Sequence, residues 1–160
     1  MLIFRRSAYP DTYGMSVAFG RGWKASGEPL LILALNETRK TLVASRLHVV
    51  KAADRGSPRT QPPSILPGDA VWVEACDRID TSAIPDALDL LFLDADHRVL
   101  AAVADVPPGS RCYQVDGAVG VLELAPGTIR LSQTEKGDLI VLEPIVAASS
   151  QPATVRVSRS

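Results

Sequence analysis

The chain is short of most of the residues that announce a chemistry. It holds only two cysteines, Cys76 and Cys112, and only two histidines, His48 and His97. Two thiols 36 positions apart, with no CxxC spacing, do not make a zinc site. They are expected to be buried or half-buried thiols, because no export signal argues for an oxidising compartment. No run of 18 apolar residues occurs, which argues against a membrane-spanning helix. The first ten residues carry the pair Arg5-Arg6 but no apolar stretch of signal-peptide length, so a cytoplasmic location is expected. No excess of one charge exists either: the net charge is −1, and Lys and Arg are scattered. With aromatics at 5 %, the sequence gives no reason to expect a nucleic-acid partner. The GxSxG elbow, the GxxxxGK[ST] phosphate loop and the EF-hand spacing are all missing. No cofactor is expected.

What is present is an ordinary globular composition, 46 % apolar and 22 % charged. Residues 1–30 are rich in Gly, Ser and aromatics. Gly14, Gly20, Gly22 and Gly27 break them up, leaving room for one short strand at Met15–Phe19. They read as an N-terminal extension. Residues 31–146 read as one β-rich domain, and residues 147–160 as a flexible Ser/Ala-rich tail.

Within the domain, short apolar runs alternate with turn residues. Leu30–Leu35, Leu42–Val50, Ala70–Ala75, Leu88–Leu93, Arg98–Val103, Gly120–Leu124 and Leu139–Glu143 have strand length and strand composition. Asn36–Lys40 and Asp94–His97 supply hairpin turns, since Asp and Asn accept local backbone hydrogen bonds. Arg55–Pro67 is a proline-rich loop. Thr128–Glu135 suits one or two helical turns, with Thr128 as the cap. The fold class is therefore mainly β (β-rich α+β), a small barrel-like or folded-over and mostly antiparallel sheet with one or two short helices.

Two residues in these strands stand out. Asp89 interrupts the run Leu88–Leu93. Strand alternation puts it on one face with Leu91 and Leu93, opposite Leu88, Leu90 and Phe92. If both faces are covered, that carboxylate needs donors, from loop N–H groups or an arginine, or else lines a site. Trp72 sits between Val71 and Val73, as a core tryptophan or as an aromatic on a binding surface. Asp80, Asp86, Asp94 and Asp96 complete a carboxylate-rich stretch, for which turn chemistry is the first expectation.

The order of these motifs resembles the bacterial and archaeal domain of unknown function numbered 192, over roughly Leu31 to Pro144. The resemblance rests on Asn36-x-Thr38-Arg39, Leu42 to Arg46, Pro67-Gly-Asp-Ala-Val-Trp-Val followed by Cys76, Leu88 to Asp94, Val121 to Ile129, and Gln133 to Asp138. It implies an uncharacterised domain with no assigned activity. It also directs attention to Ile79-Asp-Thr-Ser-Ala-Ile84, where family members carry a histidine at the place of Asp80 and a methionine at that of Ile84. Trp72, Cys76, Asp80, Thr81 and Asp89 are thus the candidate binding residues. The expected function is a non-enzymatic module for a small ligand or protein partner. The alternatives are an enzyme or degenerate enzyme with its site near Asp80, Thr81 and Asp89, and, more weakly, an accessory factor in envelope or pilus-type assembly.

Overall fold

A computed structural model describes residues 31–54, 64–109 and 112–145. The N-terminal extension with its Met15–Phe19 strand, the C-terminal tail and the middle of the proline-rich loop lie outside the described residues.

The apolar run after Pro29 forms β1 (Leu31–Asn36), and the polar turn behind it leads into β2 (Thr41–Ala44). The stretch Leu42–Val50, expected as one strand, is two. Ser45 breaks it before β3 (Arg46–Lys51). The N–H groups of Ser45 and Arg46 both donate to the Gly68 carbonyl, at 2.8 and 3.1 Å, and the chain bends there from one sheet into another. A single 3₁₀ turn (Ala52–Asp54) begins the crossover to β4 (Asp69–Glu74), which runs parallel to β3. The remaining elements are β5 (Arg78–Asp80), β6 (Leu88–Leu93), β7 (Val99–Val106), β8 (Cys112–Gln114), β9 (Gly120–Leu124), α1 (Thr128–Ser132) and β10 (Ile140–Ile145).

They make a three-stranded sheet in the order β10-β1-β2, a five-stranded sheet β3-β4-β9-β6-β7, and a short ribbon of β5 with β8. All pairs except β3–β4 are antiparallel. The folded-over arrangement is the one observed, and the sheets do not close into a barrel. At the seam, β7 and β10 meet only at their beginnings, through the bridge Arg98–Leu139 and the bonds Val99 N to Asp138 O (2.9 Å) and Ile140 N to His97 O (3.0 Å).

The five-stranded sheet is covered on both faces. Leu91, Leu93, Trp72, Leu122 and Leu124 meet Ile32, Ala34 and Ile140 of the three-stranded sheet in one core. Leu88, Leu90, Phe92, Val71, Val73 and Val121 form a second core, closed by Ile79 of β5, Tyr113 of β8 and Ile65 of the crossover. This is why β6 reads as an unbroken apolar run: all six of its residues are buried. Alternation from Leu88 places the two sets on the faces expected. Trp72 is a core residue whose six-membered ring occupies the space where a Gly120 side chain would begin. A methyl group at Gly120 would come within 2.1 Å of the ring, so only glycine fits there. The indole also meets the His97 ring in a T-shaped contact, with centroids 5.7 Å apart.

Candidate functional site

The five residues singled out from the sequence do not converge. Trp72 and Asp89 lie on the face of the five-stranded sheet toward the three-stranded sheet, two strands apart. Cys76 belongs to the opposite core. Asp80 is exposed on the β5–β8 ribbon, where its carboxylate accepts the Ser82 N–H at 2.9 Å, a local turn bond. Thr81 is buried next to it. Cys112, expected to be at least half-buried, is exposed, because it sits on the outward side of the ribbon directly across from Asp80. Both cysteines are free thiols. The Cys76 thiol donates to the Arg78 carbonyl (2.9 Å), and Arg78 Nε donates to the Cys112 sulfur (2.7 Å).

Asp89 is fully buried, and both of its oxygens are engaged. One accepts the Asp105 N–H and the other the Ile129 N–H, each at 2.8 Å. The second bond corrects the capping expected of Thr128. The residue before the helix is Gly127 in a left-handed conformation (φ 85°), with no side-chain cap of its own, and the Thr128 hydroxyl donates backward to the Ala125 carbonyl. A carboxylate 40 positions away caps α1 instead. Asp94 also does turn work, accepting the N–H groups of Asp96 and Arg98.

The richest polar constellation joins the two motifs farthest apart in sequence. Asn36 Nδ2 donates to Asp138 Oδ2 (2.9 Å) and to the Thr134 hydroxyl (3.0 Å). Arg39 Nε also reaches Asp138 (3.1 Å), while its Nη2 pairs with Glu135 (2.6 Å). The Glu135 N–H donates to the same Asp138 oxygen, and Thr41 holds the Ser132 carbonyl at the end of α1. Burial pushes the Asp138 carboxyl upward. The hydrogen bonds from Asn36, Glu135 N–H and Arg39, with the Arg39 charge, outweigh that and hold it below its ordinary range. This network fastens the β1–β2 turn to the β10 approach.

A buried charge that the sequence reading passed over is Glu123, in the middle of β9 and fully enclosed. It points into the second core, in register with Val71 on one side and Leu90 on the other. Its signal was available: like Asp89, it interrupts an apolar strand. It is satisfied, as is every buried polar side-chain atom among the described residues.

The outer face of the three-stranded sheet contrasts with these interior networks. Register puts Leu33 and Leu35 of β1, Leu42 of β2, and Val141, Glu143 and Ile145 of β10 on that side, away from the core. Leu42 is 53 % exposed and Ile145 38 %, and Leu33, Leu35 and Val141 are half-buried. Glu143 is exposed among them, and its carboxylate forms no ion pair with a described residue.

Comparison with known proteins bears on the fold alone. No family model and no curated protein matches the chain. Among solved structures, a protein of unknown function from Novosphingobium aromaticivorans DSM 12444 superimposes with a TM-score of 0.58 at 16 % identity, over 76 % of this chain and 91 % of that one. A Sinorhizobium meliloti 1021 protein described as a "putative transcription regulator" gives 0.57 at 16 % identity, over 71 % and 92 %. No helix among the described residues is long and apolar enough to cross a membrane.

Proposed function

We propose that the domain is a polypeptide-binding module whose contact surface is the outer face of the three-stranded sheet. One observation carries this reading: five aliphatic side chains on that face are half-buried or exposed, Leu42 most of all, while the inner strands of the five-stranded sheet are covered on both faces. A contiguous apolar surface of this kind is a recognised mark of protein contact. The interior carboxylates are committed to holding elements together, so they favour a structural role over a reactive one. Membership of the domain family numbered 192 belongs to the same reading. Its support is that the Asn36–Arg39 and Gln133–Asp138 motifs meet in one bonded network.

The test is a photoreactive phenylalanine analogue placed at Leu42 and, as a control, at Asp86, followed by identification of the crosslinked species. The expected result is a discrete crosslinked polypeptide from position 42 and none from position 86. Equal labelling from both positions would overturn the reading.

A further inference from the structure

Resting on that reading, we infer that the occupant of this face is an extended peptide carrying a lysine or arginine two residues from a large aliphatic side chain. The spacing comes from the sheet itself. Leu33 and Leu35 are successive outward residues of β1, so they repeat at the interval of alternate side chains in an extended strand, roughly 6.8 Å. A peptide lying along β1 therefore presents every second residue to this surface. The row at Leu35 is apolar throughout, with Leu42 on one side and Val141 on the other. One row further, Leu33 stands beside Glu143, whose carboxylate has no cation among the described residues. The face thus asks for an apolar side chain in one row and a cation in the next.

The same glutamate argues against a second copy of the chain. Pairing two such faces would bring two Glu143 carboxylates into one interface, and the outward strand residues of the face supply no cation to either. An unpaired carboxylate is costly to bury in that way. Three strands of four to six residues also offer far less than the ~800 Å² per partner of a standard stable interface, while a peptide of five to seven residues matches their length.

The experiment is a display library of seven-residue peptides selected against the full chain, against Glu143→Lys and against Leu42→Arg. Wild type is expected to enrich Lys or Arg two residues from Leu, Ile, Val or Phe. Glu143→Lys is expected to replace that preference with Asp or Glu, a change of about fivefold at the position, the effect of a partly exposed charge pair. An unchanged preference in Glu143→Lys overturns the inference while leaving the apolar docking face standing, provided Leu42→Arg still loses the peptides. If Leu42→Arg retains them, the docking face falls as well. A dimer in sedimentation that Leu42→Arg dissociates overturns the inference in favour of a second copy.

Discussion

The two sheets are built from similar sequence and end in opposite situations. β6 (Leu-Asp-Leu-Leu-Phe-Leu) and β1 (Leu-Ile-Leu-Ala-Leu-Asn) read alike, yet β6 is buried on both faces and β1 on one. The difference lies in what the connections cover. Ile65 of the crossover and the β5–β8 ribbon close the far side of the five-stranded sheet, and no described segment does this for the three-stranded one. Burial on both faces turns each polar atom into a structural obligation. Burial on one leaves side chains free for recognition. Substitutions on the two sheets should therefore differ mainly in stability for the first and in binding for the second.

The largest effect is expected at Gly120. Any Cβ there meets the Trp72 ring, and Gly120→Ala should lower unfolding free energy by about 3 kcal/mol in urea titration, the upper range for overpacking. Adding Trp72→Leu should recover part of the loss. A double variant no better than the single would show that the ring contact is not the cause.

Asp89→Asn comes next. An amide can accept only one of the two N–H groups, leaving the other facing an NH₂, at a cost of about 2 kcal/mol. Hydrogen exchange should quicken at Ile129 and Asp105 before it does elsewhere. A variant as stable as wild type would undo the account of Asp89 as the clasp of α1.

The pH response follows from two carboxylates whose proton affinities are shifted in opposite directions. Asp138 is held low, so its contribution is complete above the ordinary carboxylate value of about 3.9. It is lost as pH falls from there through the lowered native value. Burial raises Glu74 above its usual 4.5, with Lys51 across the strand pair opposing the rise. The folded state therefore holds its proton longer, and stability declines as pH rises through that interval. Asp138→Asn should flatten the acid limb of the stability curve. Glu74→Gln should remove the decline above pH 4.5 and leave the chain at neutral pH slightly more stable than wild type. Calorimetry across pH 3–7, on the order of the carboxylate range, separates the two.

The smallest change in stability belongs to Leu42→Arg, within about 0.5 kcal/mol, because the side chain is already more than half in solvent. Its expected loss of partner binding at unchanged stability is the sharpest form of the contrast between the sheets.

Much of the scaffold could be read from the sequence because its signals are local. Gly120–Leu124 and Leu88–Leu93 have the bounds expected, and Asp94 closes its hairpin as turn chemistry requires. The break at Ser45 was not legible, since it depends on the Gly68 carbonyl 23 positions on. The three-residue strands β5 and β8 carry too little pattern to register before they pair. The site was less legible for the same reason. That Asp89 shares a face with Leu91 and Leu93 follows from alternation, but that Trp72 joins them and Cys76 lies on the other side depends on how the strands pair and the sheet is covered. The outward set on the three-stranded sheet was invisible, because an apolar run looks the same with one face buried or two.

The pairing of β1 with β10 has a consequence for how the chain is made. Among the described strands the Leu-rich β1 is synthesised first and can close a hairpin with β2 at once, but its other edge waits for residues more than a hundred positions later. At about 5–20 residues per second that wait lasts roughly 5–20 s. Through that interval the nascent chain offers an unpaired apolar strand, the most adhesive object a β-protein can display. β1 is thus a segment for which shielding by a chaperone would count during synthesis.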